Sequence, residues 1–360
     1  MLSALERPSD ALRHLGPNWF ASVMGTGIVA NAAVLLSEQV GFQRGVALGF
    51  WLLAAALLTV LVAATAAHWV RHPDNARGHA SDPAMAPFYG APAMAFLTVG
   101  AGTLLVGKDL IGADAAVTVD GVLWCVGTTL GLATAVGVPY LLFTRHDVAL
   151  ENAFGGWLMP VVPPMVSAAT GAALVAHVGG ALAPTLLWAC YAMFGLSLLA
   201  SIIVITLIWA RLALHGNTPA KQVPTHWIVL GPLGQSITAT SLLGAAAAGV
   251  IDDSYARAMH AFAVVYGVPV LGFALMWLTI AIAITVRTAR EGLPFSLTWW
   301  SFTFPVGTCV TGVSELAADT GLPALRWLAV ALFALLICGW VAAATNTARG
   351  AVRGHLFLPA

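Results

Sequence analysis

The chain has 360 residues, 59% hydrophobic and only 8% charged, with a mean hydropathy of +0.88. Soluble domains carry about 25% charged residues, so this composition excludes a protein whose folded surface faces water. Fifteen basic and fifteen acidic residues cancel, which leaves no basic footprint for nucleic acid.

A bilayer core takes about 20 apolar residues per crossing helix, and runs of that length recur from end to end. They predict spans near 18–37, 46–70, 88–107, 118–143, 157–177, 185–210, 226–250, 260–286, 295–318 and 323–345. The fold class expected is an all-α integral membrane protein with ten transmembrane helices. Residues 1–17 read as a short cytoplasmic segment, 18–345 as one transport domain and 346–360 as a cytoplasmic tail. The run after Pro17 has span length rather than the 7–15 residues of a signal-peptide core, so it is expected to be retained. Lys108, Asp109, Asp114 and Asp120 crowd the joint between the third and fourth spans, while the tract from Arg71 to Pro87 reads as a flexible loop.

Lys and Arg in connecting loops set orientation. With both termini on one side, that side receives 11 of the 15 basic residues, among them Arg71, Arg145, Arg211, Arg287 and Arg353. The other side receives Arg44, Lys108, Arg257 and Arg326. Both ends are therefore expected in the cytoplasm, with the chain in the cell membrane and an even number of spans.

Every odd-numbered span carries breakers: Gly25-Thr26-Gly27, then Gly90 and Pro92, then Pro160, Pro163 and Pro164 with Gly171, then Gly231-Pro232-Leu233-Gly234, then Pro305 and Gly307. Even-numbered spans are more uniformly Leu, Ala, Val, Ile and Trp, although Pro139 and Pro269 interrupt two of them. Proline removes a backbone donor, and a carbonyl freed in lipid needs a partner in protein or water. The alternation therefore points to five pairs, each with a broken inner helix beside a wet route and a smooth outer helix facing lipid. Against this stands the general abundance of proline in membrane helices.

Gly25-Thr26-Gly27-Ile28-Val29-Ala30 imitates a nucleotide-loop pattern, but it lies inside an apolar span with no preceding strand. Close approach to a neighbouring helix explains it better. Gly231-Pro232-Leu233-Gly234-Gln235 either opens a helix so that backbone N–H groups face an anion, or forms a hinge with Gln235 bonded to a neighbour. In Trp299-Trp300-Ser301-Phe302-Thr303-Phe304-Pro305 the rings either pack against neighbours, or one plugs a pore as apolar constrictions do.

Asn31, Gln235 and many Ser and Thr are the polar groups within spans. Glu315, His177 and Asp120 are expected at span ends, within reach of interfacial water. A path of hydroxyls and amides without buried carboxylates suits an anion, unless those hydroxyls merely bond back to their own helices. The four cysteines lie in apolar runs without C-x-x-C spacing, and the loop histidines (His72, His79, His146, His215) show no ligand spacing. No metal, cofactor or catalytic constellation is expected.

Pro17-Asn18-Trp19-Phe20 with Met24-Gly25-Thr26-Gly27, Trp157-Leu158-Met159-Pro160-Val161-Val162-Pro163-Pro164, Gly231-Pro232-Leu233-Gly234-Gln235 and Trp299-Trp300-Ser301-Phe302-Thr303-Phe304-Pro305 occur in order at the first, fifth, seventh and ninth spans. In these the chain resembles the tellurite-resistance/dicarboxylate transporter family. That family includes bacterial tellurite-resistance channels, fungal malate permeases and sulfite efflux pumps, and plant slow anion channels. The resemblance implies five helical hairpins around a central pore, often in a trimer, with a phenylalanine of the ninth helix blocking each pore. On that basis Phe304 is the expected gate, Phe302 the alternate and Gly25 the facing small residue. Pro92, Pro160, Pro163, Pro164, Gly231, Pro232, Gly234, Gln235 and Pro305 would be the pore-lining kinks. The implied function is passage of a C4-dicarboxylate such as malate, or of sulfite- or tellurite-type oxyanions. A proton-coupled carrier is the alternative and would need a buried titratable group; an integral-membrane enzyme would need a polar cluster that the sequence does not offer.

Overall fold

The computed structural model describes residues 5, 7–40 and 44–358; residues 1–4, 6, 359 and 360, in the expected terminal segments, and 41–43, between the first two expected spans, lie outside them. The described residues form helices and turns with no strand. In chain order the α-helices are α1 (Phe20–Val40), α2 (Arg44–Arg71), α3 (Pro73–Ser81), α4 (Gly90–Gly102), α5 (Lys108–Ile111), α6 (Ala113–Thr144), α7 (Pro163–Val175), α8 (Leu182–His215), α9 (Leu230–Ala246), α10 (Asp253–Glu291), α11 (Phe304–Thr320) and α12 (Pro323–Arg353). Among the described residues, eight helical stretches are long and apolar enough to cross a membrane. α7, with 13 residues, and α11, with 17, are shorter.

The helices fall into two kinds. The stretches Pro17–Leu36, Ala86–Ile111 and Ala220–Ala246 are 94%, 72% and 83% buried over their most apolar windows, against 22–33% for α2, α6, α8, α10 and α12. The buried helices touch in the closed order α1, α4, α7, α9, α11 and back to α1. Each also packs on the long helix that follows it: α2, α6, α8, α10 and α12. Those long helices leave Val60, Val136, Ile203, Val265 and Trp327 exposed, an apolar rim that lipid tails solvate without cost.

The expected prolines, unlike Gly25, Gly27 and Gly171 inside α1 and α7, gather at one recurring place. Each buried helix is entered through a 3-10 segment: Pro17–Trp19, Ala86–Tyr89, Gly155–Leu158, Ala220–Val229 and Leu297–Phe302. Prolines cluster at these junctions because the first helical turn lacks N–H partners anyway; Pro163, Pro164 and Pro305 occupy the first two positions of α7 and α11. The five 3-10 segments also touch one another in a closed ring. That contact needs residues without side chains: a Cβ on Gly155 would run into the Thr225 carbonyl, and one on Gly90 into the Met159 carbonyl.

Two expectations need correction. The tract from Arg71 to Pro87 contains α3 rather than being a flexible loop throughout. Pro73 opens the helix and Asp74 lies in its first turn, both favourable at a helix N-terminus. Asn75 Nδ2 donates to Arg13 O at 2.8 Å, and the Tyr89 hydroxyl to Ala76 O at 3.0 Å. At the joint between the third and fourth spans, α4 widens into a π-helical turn over Thr103–Gly107 and continues to Gly112, whose φ of +85° reverses the chain. α6 then starts five residues before the expected span, which carries Asp120 into the protein. It is 1% exposed, buried among other helices instead of reaching the protein surface.

Candidate functional site

The centre of the helix ring holds two cavities with Phe304 in the wall of both. The first, about 420 Å³, lies among the N-terminal ends of the buried helices and is largely apolar, lined by Met24, Phe88, Met94, Met159, Trp300 and Phe304 among others. The second, about 740 Å³, lies farther along the same helices. Asn31, Thr98, Thr170, Gln235, Thr238, Thr311 and Glu315 bring polar groups to it, and Asp120 is the one lining residue from an outer helix.

Local structure fixes the Phe304 ring. The residue is the first of α11, directly after a 3-10 segment, and Pro305 follows it. The Thr303 hydroxyl donates to Trp300 O at 2.6 Å, tying the junction down. Gly25 on α1 lies against this junction: a Cβ there would collide with Thr303 Oγ1 and stand 2.7 Å from Trp300 Cε3. Phe304 is 2% exposed.

Phe302 is placed differently. Its ring meets Trp227 edge-on at a centroid distance of 5.0 Å and Trp299 at 5.8 Å, and it lines neither cavity. Gly231 and Pro305 line the first cavity, and Gln235 lines the second. Gly234 lets α9 and α11 touch backbone to backbone, since a Cβ there would meet Thr308 and Cys309 main-chain atoms. Pro92 is half-buried in the first turn of α4, and Pro164 and Pro232 are buried near the starts of α7 and α9. Pro163 packs on α6, where a Cβ at Gly131 would stand 2.9 Å from its Cβ. Pro160 lies in a separate groove with Pro139, Phe143 and Ile203, between α6 and α8.

The cavity hydroxyls mostly spend their protons on backbone. Thr98 donates to Met94 O at 2.6 Å, Thr170 to Val166 O at 2.9 Å and Thr311 to Thr308 O at 3.0 Å. Thr238 and Thr311 share a hydrogen bond of 2.8 Å across α9 and α11. Hydroxyls saturated in this way make a smooth neutral wall and are weak donors to a ligand. Amides differ. Asn31 Nδ2 donates to Thr98 O at 3.2 Å, while no protein hydrogen bond holds the Gln235 amide among the described residues. The sequence motif on α9 thus supplies an amide in the cavity wall, and α9 runs unbroken from Leu230.

Ring tryptophans hold the walls in place. Trp51 Nε1 donates to Thr103 Oγ1 at 3.1 Å, Trp340 Nε1 to Thr26 Oγ1 at 3.0 Å and Trp300 Nε1 to Thr347 Oγ1 at 3.0 Å. Buried indole N–H groups need such partners, so α2 and α12 are keyed to inner segments by polar contacts. Among the described residues no group of three His, Cys, Asp or Glu side chains is placed to hold a metal ion.

The family model described as SLAC1, voltage-dependent anion channel, matches residues 14–348. The chain belongs to this family. Similar proteins agree along nearly the whole anion-channel domain. An uncharacterized transporter of Methanocaldococcus jannaschii is 25% identical over 358 residues, covering 99% of both chains. A sulfite efflux pump of Trichophyton rubrum is 26% identical over 338 residues, covering 92% of this chain and 89% of the pump. A putative malic acid transport protein of Schizosaccharomyces pombe is 21% identical over 320 residues, covering 86% and 73%. This member of the anion-channel family is thus a multi-pass membrane protein of a transport family, whose relatives are named as transporters.

Proposed function

We propose that the protein conducts small anions across the cell membrane through the route between α1, α4, α7, α9 and α11, with the Phe304 ring as its plug. The chain then crosses ten times, as the hairpins α1/α2, α4/α6, α7/α8, α9/α10 and α11/α12. One observation carries the reading: Phe304 is shared by two cavities that are otherwise lined by different residues. An apolar ring between two wider spaces excludes water and ions until it swings aside. Gly25 leaves room for Thr303 and Trp300, and so sets where the ring stands.

Hydroxyl and amide side chains across most of the wall suit an anion, and Gln235 offers the amide donor that a partly dehydrated anion requires. The substrates we assign are sulfite-type oxyanions and C4-dicarboxylates such as malate, as the names of the pump and malate relatives support. Tellurite-type oxyanions belong to the same chemical class. The loop charge bias supports cytoplasmic termini, which places the apolar cavity inside and the polar cavity outside. The exposed apolar rim accommodates lipid and the neighbouring copies of a trimer, which native mass spectrometry would count.

Reconstitution tests the function. Purified protein in liposomes should pass labelled malate or sulfite faster than protein-free liposomes, and Gln235→Leu should slow that passage. Absence of flux for both anions, in wild type and in Phe304→Ala alike, would refute anion conduction.

A further inference from the structure

Asp120 is a carboxylic acid where an anion route should hold none. It is 1% exposed, and neither carboxylate oxygen has a hydrogen-bond partner among the described residues. Its Oδ1 stands 2.6 Å from where a Cβ would sit on Gly100, so the absence of a side chain on α4 makes room for the group. It lines the polar cavity with Asn31, whose Oδ1 is also buried without a donor. Buried acceptors without donors are costly, and an ionised carboxylate most of all. A bound proton removes the charge and supplies a donor at once.

The surroundings offer no substitute for that proton. α4, the π-helical turn and α7 pack on α6 and contribute no titratable side chain facing Asp120. α5 contributes Lys108 and Asp109, both exposed, and Asp109 is paired with Arg44 at 2.5 Å. Tyr89, in the 3-10 segment before α4, touches the other end of α6, and Asp114 and Cys125 of α6 itself are exposed. Across the cavity, α11 brings Glu315 into the same lining.

We propose that Asp120 is a proton-transfer site that couples anion passage to proton movement. This rests on the anion-conducting reading above. A divalent oxyanion entering the polar cavity accepts the Asp120 proton, leaving Asp120 as carboxylate and the substrate as a monoanion. The monoanion crosses the apolar Phe304 constriction, and Asp120 is reprotonated from water on the cavity side. One proton therefore travels with each anion, and the reverse sequence operates for efflux. The benefit is electrostatic, because desolvation cost grows with the square of the charge and halving it cuts that cost about fourfold.

The test uses the full chain in liposomes loaded with a pH-sensitive dye, with labelled malate and sulfite as probes. Both probes titrate themselves, so the comparison between wild type and Asp120→Asn decides the matter. Wild type should move about one proton per anion, and Asp120→Asn should lower that ratio roughly tenfold while still eluting as folded protein. Asp120→Glu should restore it. A ratio unchanged in Asp120→Asn overturns the proposal, as does its loss in Glu315→Gln with Asp120→Asn unaffected, or a requirement for sodium in place of protons. Carbodiimide labelling of wild type needs no variant: adduct on Asp120 with arrest of flux supports the site, and an unlabelled Asp120 in arrested protein overturns it. Failure of wild type to pass either anion at any pH would instead remove the anion-conducting reading.

Discussion

Replacing Phe304 by alanine separates a plug from a packing residue, because both roles cost stability but only a plug raises flux when it is removed. Deleting a buried ring costs the lost transfer free energy plus ~24 cal/mol per Å³ of void left behind, roughly 3–5 kcal/mol for Phe→Ala in a filled site. Phe304 already borders cavities of about 420 and 740 Å³. The residue itself is 2% exposed, so nearly all of its surface is packed, and we expect a loss within that range. Flux should move the other way. Removing the ring joins the two cavities, and each 1.4 kcal/mol taken off the barrier raises flux about tenfold. We expect at least that gain for labelled malate or sulfite in liposomes, with Phe304→Leu intermediate. Phe302→Ala is the control, since its ring packs on Trp227 and Trp299 outside the cavities. Thermal unfolding in detergent should show a smaller loss for Phe302→Ala, which is only half-buried, with flux little changed. Unchanged flux in Phe304→Ala, with the protein still folded, would refute the plug.

The 3-10 ring should be intolerant of side chains: Gly155→Ala forces a Cβ into the Thr225 carbonyl and should cost about 1–3 kcal/mol or more, read as lowered unfolding temperature. Trp277, 1% exposed, donates its Nε1 proton to His226 O at 2.9 Å; Trp277→Phe should cost about 1–3 kcal/mol by leaving that carbonyl unsatisfied. Burial, then the nearby histidines His68 and His14, depress the pKa of His79; burial, then Arg13, depress that of His14. The unfolded chain therefore binds these protons first as pH falls. The stability these two neutral rings contribute is present above pH ~6.5 and is lost as pH drops through their depressed folded values. The double change His14→Gln with His79→Gln should flatten the unfolding temperature between pH 7.5 and 5.5; an unchanged slope would place the acid sensitivity elsewhere.

The helical, membrane-embedded class and the division into buried and lipid-facing helices were legible in the sequence because they depend on local quantities. Apolar run length and the spacing of breakers belong to single segments, and the buried fractions of 94% and 28% for the first two spans follow the pattern of breakers. The breakers' place was less legible. Proline signals a missing donor, but only packing shows that Pro163 and Pro305 begin helices after 3-10 segments rather than kink them midway. Phe302 and Phe304 illustrate the same limit. Two residues apart, they have indistinguishable sequence surroundings, yet one ring enters an aromatic cluster and the other the wall of both cavities.

Asp120 shows most clearly what tertiary structure alone decides. In the sequence it is one of four charges beside a loop, and such charges ordinarily reach water. The π-helical turn after α4 and the reversal at Gly112 lengthen α6 at its start. That carries the carboxyl against Gly100 and into the cavity. Sequence determined that helices must cross the membrane, since lipid leaves the backbone no partner but itself. Which side chains meet inside the ring was settled by how five separate helices close on one another, and no single segment encodes that.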